Sequence, residues 1–237
     1  IRDFYAARGL PQDKFHIIPN GVPASDGKGS VARGALLAEL NLPPQTRLIG
    51  AVGRLWPQKR LKDAIWAAEL ISAVRGDSHL LIIGEGPLRW RLERFCRFVH
   101  VGNQIHFLGH RDDVTRIMPH LDCLWLSSDY EGMPNAILEA MASGTPVAAY
   151  DATGPRDVIP GSDAGTITPA GGNLAEGAVA CLSLSRATCR AYAETYSWRA
   201  CAEAFIENLQ PLPAPARKRF WQKIRLRRRK KPTLPSL

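Results

Sequence analysis

Short apolar runs alternate with amphipathic stretches along the chain. Six runs rich in β-branched residues, each bounded by turn residues, predict buried parallel strands at 47–52, 79–84, 104–109, 121–127, 145–150 and 165–168. Helical patterns separate them at 61–74, 87–99, 112–121 and 134–143, and three more follow the last strand at 173–183, 185–195 and 197–208. Alternation of this kind predicts an α/β fold with a doubly wound parallel sheet, right-handed crossovers and a helical C-terminal extension.

The two ends of the chain depart from this alternation. The first 22 residues end in HIIPNGV, and residues 25–34 read as a loop. QPLPAPAR at 210–217 breaks helix and predicts a linker. We therefore divide the chain into an initial segment 1–22, a main domain 23–209, and a linker with a tail at 210–237. The chain opens on Ile1 without a methionine, so we expect a fragment.

Charge separates the tail from the rest of the chain. The formal net charge is +9, but ten of the 31 Lys and Arg residues lie within 217–231, which leaves 21 positive side chains against 22 acidic ones elsewhere. The tail interleaves these cations with Phe220, Trp221, Ile224 and Leu226. We expect a disordered basic tail. Contact with an anionic membrane surface and, last, binding to nucleic acid are the alternatives.

Cysteine usage and hydropathy bear on the compartment. The five cysteines form no C-x-x-C pair, no signal peptide opens the chain, and no apolar run approaches the ~20 residues of a spanning helix. We therefore predict reduced core thiols in a cytoplasmic protein, which the tail could attach to the inner face of a membrane. His100, His106 and His110 straddle a strand whose alternation separates neighbours, so we predict no metal site.

The loops that follow the strands hold the candidate chemistry, because ligands of open α/β sheets bind outside the carboxyl ends of the strands. After 47–52, GRLWPQK brackets a proline turn with Arg54 and Lys59 behind Gly53, and two cations there could clamp a diphosphate. Taken alone, a solvated loop with incidental charges is the favoured interpretation.

The loop after 79–84 carries glycines instead of cations. GEGPLR contains Glu85 and Gly86, and its glycines would let the backbone approach a ligand closely, with Pro87 at the first position of the next helix. A plain turn is the favoured interpretation when this loop is considered alone.

The stretch YEGMPNAILEA holds two glutamates, Glu131 and Glu139, at a junction from strand to helix. Pro134 suits the first helical turn, so the amides of Gly132, Met133 and Asn135 would form an anion site at a helix N-terminus. Glu139 would lie about one turn into the helix on the side of Asn135. The alternative is a first-turn glutamate favoured by the helix dipole and an exposed mid-helix glutamate.

The combined order of these motifs resembles a known family over about residues 1–208. The segments VGRLWPQKRLKDAIWAAELI, LLIIGEGPLRWRLE and SSDYEGMPNAILEAMASGTPV, following IIPNGV, are similar to the carboxy-terminal domain of retaining, family-4-type glycosyltransferases (glycosyl transferases group 1). The resemblance implies a Rossmann-like half of a GT-B fold. It also implies transfer of a sugar from a nucleotide-sugar donor, with retention of configuration, in cell-surface polysaccharide or glycolipid synthesis.

The resemblance assigns roles by matching position. Arg54 and Lys59 would hold the diphosphate and stabilise the leaving group, Glu131 would touch the transferred sugar, and Glu139 would accept hydrogen bonds from the ribose. The remaining donor contacts would be Gly53, Gly132, Met133 and Asn135, with Glu85, Gly86 and His110 on the side of the base. No metal and no further cofactor are expected. The alternative is a noncatalytic nucleotide or nucleotide-sugar binding module, and an epimerase or phosphorylase of the same fold is disfavoured.

Some positions depart from the family. Position 60 is arginine where glycine is usual, and ATGPRDVI keeps Gly154 but places Asp157 at the acidic position of a Gly-Gly-x-x-Glu pattern. The family binds its glycan or lipid-linked acceptor with an amino-terminal domain that these residues do not supply. We therefore expect little or no transfer by this chain alone. The sugar, the base and the acceptor are not readable from the sequence.

Overall fold

A computed structural model describes residues 2–23, 32–159 and 163–209. The predicted linker and basic tail lie outside the described residues. Six parallel strands form one sheet in the described part of the chain, in the order β3-β2-β1-β4-β5-β6. Their bounds are β1 Arg47–Val52, β2 Ser78–Ile83, β3 Ile105–Gly109, β4 Cys123–Leu126, β5 Val147–Tyr150 and β6 Gly165–Thr168. This topology confirms the predicted doubly wound α/β fold.

Helices connect the strands and extend past the last of them. Their bounds are α1 Arg2–Ala6, α2 Arg33–Glu39, α3 Leu61–Val74, α4 Arg89–Phe98, α5 Val114–Ile117, α6 Asn135–Ala142, α7 Pro155–Val158, α8 Leu174–Cys181, α9 Arg186–Glu194 and α10 Trp198–Glu207. Short 3-10 turns occupy Gln12–Lys14, Pro57–Lys59, Gly102–Gln104 and Met118–His120.

Several helices differ from their predicted bounds. The predicted C-terminal boundary of the loop at 25–34 is wrong, because α2 already begins at Arg33. This helix buries Leu36 and Leu37. The pattern at 112–121 splits into α5 and a 3-10 turn, since a proline at position 119 has no amide hydrogen for a continuing helix. Pro87 lies two residues before α4 and is not its first residue, which corrects that expectation.

The sheet separates two hydrophobic cores. Adjacent residues of a strand face opposite sides, so Leu48 belongs to one core and Ile49 to the other. The first core packs the sheet against α2, α6 and α9, and the second packs it against α3, α4 and α8. The near-continuous apolar strands follow from this double coverage.

The ends of the described chain meet each other. Val22 donates its backbone N–H to the carbonyl of Tyr196 at 2.7 Å, and a Cβ at Gly21 would lie 2.6 Å from the Cα of Trp198. Ser197 caps α10 by accepting from the amide of Ala200 at 3.1 Å, as its position predicts. The initial segment is therefore docked on the start of α10.

The cysteines and the apolar side chains of α10 differ in burial. All five cysteines lie within the described residues as free thiols, four of them buried and Cys201 half-buried. The apolar side chains of α10 and of the residue just after it are not covered by the described part of the chain, where Trp198, Phe205 and Leu209 are more than half exposed.

Candidate active site

The candidate site lies where the strand order reverses. β1 and β4 are neighbours at the centre of the sheet, with Ile49 beside Cys123 and Gly50 beside Leu124. The chain proceeds from β1 towards one edge and from β4 towards the other. The loops after these two strands therefore diverge and leave a crevice at their carboxyl ends, where α/β sheets bind ligands.

An ion pair joins these two loops. The Lys59 ammonium, after β1, donates to Glu131 Oε1, after β4, at 2.5 Å, and the Ser128 hydroxyl donates to the same oxygen at 2.7 Å. The two charged side chains are only 20% and 14% exposed. The sequence predicted both residues for the site, and the structure brings them into direct contact across 72 residues of chain.

Backbone contacts hold Lys59 in this place. Ser127 donates its hydroxyl to the carbonyl of Lys59 at 2.6 Å, and the amide of Asp129 donates to the carbonyl of Gln58 at 3.0 Å. A Cβ at Gly53 would lie 3.1 Å from Lys59 Cε, so the glycine leaves room for the lysine stem to cross the end of β1. The ammonium is therefore fixed before any ligand arrives.

Arg60 adopts a left-handed conformation, with φ of 46° and ψ of 39°. This geometry explains why the resembling family has glycine there, since a side chain costs about 1–2 kcal/mol in that region. The guanidinium forms ion pairs with Asp63 at 2.6 Å and Asp129 at 2.9 Å, and lies 5.3 Å from the centre of the Tyr150 ring. The hydrogen bond to Asp129 is the main reason that the pKa of Arg60 is raised. These contacts offset the backbone strain and tie the loop after β4 to α3.

The glycines after β2 make room for a neighbouring loop. Gly84 has a φ of +136°, and a Cβ there would lie 2.1 Å from the carbonyl oxygen of Gly53. A Cβ at Gly86 would lie 2.6 Å from the carbonyl oxygen of Leu55, whose amide donates to the carbonyl of Glu85 at 2.9 Å. The close approach predicted for a ligand is thus made by protein backbone.

Three predicted residues stand exposed around this crevice. Glu85 is exposed, with Oε1 3.7 Å from the position of a Cβ at Gly109, just before His110. His110 is paired through Nε2 with Asp112 at 3.0 Å. Arg54 is exposed, lies 5.7 Å from the Trp56 ring, and forms no ion pair with any residue in the described ranges.

The helix after β4 begins one residue later than predicted. Pro134 is the N-cap of α6 and Asn135 its first residue, which corrects the placement of Pro134 in the first turn. Gly132 is exposed and Met133 is half-buried. Asn20 reaches this point from the initial segment, donating from Nδ2 to Asn135 Oδ1 at 2.8 Å and from its amide to Met133 Sδ at 2.9 Å. Sequence reasoning missed Asn20 as a site residue, although the PNG turn at 19–21 marked it.

Glu139 lies one turn into α6, on the side that the sequence predicted. Its neighbours Ile137, Leu138 and Met141 are buried in the core, while Glu139 is half-buried. Its carboxylate accepts no hydrogen bond from the residues that the structure describes, and burial raises its pKa. A half-buried carboxylate without a partner is costly for stability and is typical of a ligand-binding position.

The loop after β5 packs against Glu131. The amide of Glu131 donates to the carbonyl of Thr153 at 2.9 Å, and a Cβ at Gly154, where φ is +96°, would lie 2.8 Å from Glu131 Cβ. Gly154 therefore makes room for Glu131. Asp157, at the family's acidic position, is exposed on α7.

The prediction of no metal site was based on the histidines on and around β3. His106 lies with its Nε2 2.9 Å from Nδ1 of His79, and burial lowers the pKa of both rings. Within the described ranges, no three His, Cys, Asp or Glu side chains are grouped as metal ligands would be. No helix within the same ranges has the length and hydropathy needed to cross a bilayer.

Comparison with known proteins identifies the family. The family model described as glycosyl transferases group 1 matches residues 46–186, which include every element from β1 to α8. The chain belongs to this family. The glycosyl transferases group 1 assignment confirms the resemblance on which the site roles were based.

Individual relatives are more distant. The chain is 34% identical over 137 residues to an α-1,3-galactosyltransferase from Escherichia coli that acts on GlcNAc-diphosphoundecaprenol, covering 56% of this chain and 35% of that protein. It is 31% identical over 169 residues to 2-deoxystreptamine glucosyltransferase from Streptomyces kanamyceticus, covering 69% of this chain and 42% of that protein. This chain therefore spans less than half the length of both relatives.

Solved structures share the fold. HepE from Anabaena, in complex with UDP and glucose, superimposes with a TM-score of 0.78 at 20% identity, over 89% of this chain and 61% of HepE. WaaG, a glycosyltransferase involved in lipopolysaccharide biosynthesis, superimposes with a TM-score of 0.67 at 24% identity, over 90% of this chain and 58% of WaaG.

Proposed function

We propose that this chain is the donor-binding half of a retaining glycosyltransferase that builds a cell-surface polysaccharide or glycolipid. The observation that carries the proposal is the Lys59–Glu131 ion pair at the switch point, together with the Glu139 carboxylate one turn into α6, which has no partner among the described residues. A cation for phosphate and two separate carboxylates for hydroxyl groups match the parts of a nucleotide-sugar.

The diphosphate would lie over Lys59, with Arg54 closing on it from the exposed side. In the free protein Lys59 is held by Glu131 and Arg54 has no ionic partner among the described residues, so a diphosphate can recruit both cations. When the bond between sugar and phosphate breaks, negative charge grows on the leaving diphosphate, and fixed cations stabilise that charge. The two side chains supply the charge for which other enzymes use a divalent metal, so we propose that transfer needs no metal.

Glu131 would face the sugar. One of its carboxylate oxygens is occupied by Lys59 and Ser128, so the carboxylate is oriented, with hydrogen-bond capacity left for sugar hydroxyls. We propose that departing phosphate, rather than a carboxylate, assists attack by the acceptor on the same face, which retains configuration. The acceptor would be bound by a second domain, and we expect slow transfer or none from the 237-residue chain alone.

Glu139 would bind the ribose. Its half-buried carboxylate regains hydrogen bonds when the two ribose hydroxyls donate to it, which offsets the desolvation that raises its pKa in the free protein. Glu85 and His110 follow β2 and β3 at the same carboxyl edge of the sheet and would meet the base. The alternative function, a noncatalytic nucleotide-binding module, shares these donor contacts. It differs in requiring nothing of Glu131 beyond its partnership with Lys59.

Calorimetric titration of the chain with UDP, GDP and ADP tests the proposal. HepE is bound to UDP, which makes UDP the first probe. We expect Lys59→Ala to weaken binding about 10- to 100-fold, the value of one charge-assisted hydrogen bond. Lys62→Ala, at an exposed lysine in the first turn of α3, serves as the matched control and should bind within about twofold of wild type. Binding to none of the three nucleotides, or equal losses in both variants, would overturn the proposal.

A second measurement separates catalysis from binding. In an enzyme that carries both domains, Glu131→Gln should abolish most of the transfer while nucleotide affinity is kept or increased. Unchanged transfer in that variant would favour the binding module. Transfer should also persist in EDTA, and an inverted anomeric configuration in the product would contradict retention.

A further inference from the structure

A second cavity is lined in part by Arg60, the residue after Lys59. It has a volume of about 340 Å³ and opens between α3, the end of β5 and the glycine-containing loop before α8. Its lining includes Arg60, Asp63, Trp66, Tyr150, Gly172 and Asn173. The volume falls within the roughly 300–1,000 Å³ that is typical of small-molecule sites. None of the donor-binding roles proposed above uses this cavity.

One wall of the cavity is apolar and flat. Trp66 and Leu70, one turn apart on α3, are 50% and 37% exposed and stand over the buried Ala67. Half of the Trp66 surface is not covered by the described residues, although Ile65 beside it in sequence is completely buried. An aromatic surface open within a concave site is typical of a binding platform for the apolar side of a ligand.

The end of the cavity at the first turn of α3 is polar, and its charges are paired. Asp63 Oδ2 accepts hydrogen bonds from Arg60 and from the Tyr150 hydroxyl at 3.2 Å, and that hydroxyl also lies 3.4 Å from the carbonyl oxygen of Gly172. The remaining oxygen, Asp63 Oδ1, accepts from no residue in the described ranges. Arg60 is shared between Asp63 and Asp129, so neither an anion nor a cation would find an unpaired counter-charge here. The cavity suits a neutral ligand with hydroxyl groups.

The loop before α8 adds an open rim. Gly171 has a φ of +82°, and a Cβ built on it would meet nothing within 4 Å. Asn173 uses its side-chain oxygen to cap α8 through the amide of Ala175 at 2.9 Å. The rim is therefore formed by backbone, and no side chain at Gly171 fills the entrance of the cavity.

We propose that this cavity is a second sugar-binding site, which holds one neutral sugar unit of the growing glycan against Trp66 with a hydroxyl donated to Asp63 Oδ1. The apolar face of a sugar ring fits the indole, and its hydroxyl edge fits the carboxylate. The inference rests on the proposed function, since it takes the glycan product as the ligand. Arg60 connects the site to Asp129, two residues before Glu131, so a glycan held here stays at the same edge of the sheet as the reaction centre.

The test is a titration of the chain with methyl α-D-glucoside, methyl α-D-galactoside and methyl N-acetyl-α-D-glucosaminide, followed by ¹⁵N–¹H NMR. At least one sugar should shift the Trp66 indole and the amides of Gly171 and Gly172 in a saturable way. Trp66→Ala should weaken this binding at least tenfold, as should Trp66→Leu, which keeps an apolar side chain but removes the flat ring. Trp90→Ala, at a tryptophan on α4 that is 58% exposed and outside the cavity, should leave it unchanged.

Nucleotide binding separates the two proposals. UDP should bind all three variants as it binds wild type, so loss of sugar binding with intact UDP binding is specific to the second site. Absence of a saturable shift at these residues with all three sugars would overturn the inference. Sugar binding that survives both Trp66 substitutions, or shifts caused instead by inorganic phosphate, would overturn it as well.

Discussion

The Lys59–Glu131 pair should make a measurable energetic contribution even without a ligand. Exposed ion pairs contribute about 0.2–1 kcal/mol, whereas removal of one partner from a fully buried pair costs about 3–5 kcal/mol. With side chains 20% and 14% exposed, this pair lies between those limits. We expect Lys59→Met to destabilise the fold by about 2 kcal/mol, because Ser128 alone then satisfies a partly buried carboxylate.

Lys59→Met is one arm of a double-mutant cycle, and the expected stabilities of the other two variants follow from the same contacts. Glu131→Gln should cost about 1 kcal/mol, since the amide oxygen still accepts from Lys59 and Ser128. The double variant should be less unstable than the sum of the two single variants, by a coupling energy of about 1–1.5 kcal/mol.

Urea unfolding followed by circular dichroism measures each arm of this cycle. The matched control is the Arg199–Glu203 pair on α10, at 2.8 Å but with side chains 87% and 57% exposed, for which we expect a coupling of at most about 0.5 kcal/mol. A coupling between Lys59 and Glu131 no larger than that of the control would refute the reasoning that this pair is a fixed, largely desolvated element of the site.

Three further predictions concern the loops and Glu139. Gly84→Ala should lower the free energy of unfolding by about 2–4 kcal/mol, because the new side chain is strained and contacts Gly53. Gly34→Ala, in an open helical position, should raise the free energy of unfolding by about 0.5–1 kcal/mol. Similar urea midpoints for the two variants would contradict this prediction. Arg60→Gly should be about 1 kcal/mol more stable than Arg60→Ala, since both variants lose the ion pairs but only alanine is strained at a φ of 46°. Equal stability of the two variants in denaturant melts would show that the strain is absent. Because burial raises the pKa of Glu139, the folded protein keeps that proton to higher pH than the unfolded chain, so wild-type stability falls as pH rises from the unfolded pKa through the folded one. Glu139→Gln should therefore gain stability over wild type across that window, as melting temperatures against pH would show, and a constant difference would count against a desolvated carboxylate.

The fold was predictable because its signals are local. The strand RLIGAV follows a Pro-Pro pair at 43–44 and ends before Gly53, and the structure places β1 at Arg47–Val52 as the sequence predicts. The helix pattern at 61–74 likewise matches α3. Burial on both faces requires apolar runs, and parallel order requires crossovers, so periodicity alone determines the class of fold.

The details of the site depend on contacts between distant loops, which periodicity does not report. In the sequence, Gly84 looks like an ordinary turn glycine. In the structure, glycine is needed there because the carbonyl of Gly53, 31 residues earlier, leaves no room for a side chain. Asn20 becomes part of the site only because the initial segment docks on α10 and passes the start of α6. Arg60 departs from the glycine that is usual in the family, and the sequence does not show how the chain tolerates it. The structure shows a left-handed backbone at Arg60 and two aspartate partners for its guanidinium.

The two glutamates show what the sequence could provide and what it could not. Their spacing predicted that both lie near one helix N-terminus, and the structure agrees. It could not predict that Glu131 is already engaged by Lys59 while Glu139 has no partner among the described residues. We propose separate roles for the two carboxylates on the basis of that difference, because one is already oriented by a partner and the other has free hydrogen-bond capacity.

The most direct test of the account is a crystal structure of this chain with the nucleoside diphosphate that binds it most tightly. The account predicts diphosphate oxygens within hydrogen-bond distance of Lys59 Nζ and Arg54, with both ribose hydroxyls donating to the Glu139 carboxylate. A nucleotide bound elsewhere, or one that leaves Glu139 without a contact, would contradict the assignment of the crevice between β1 and β4 as the donor site.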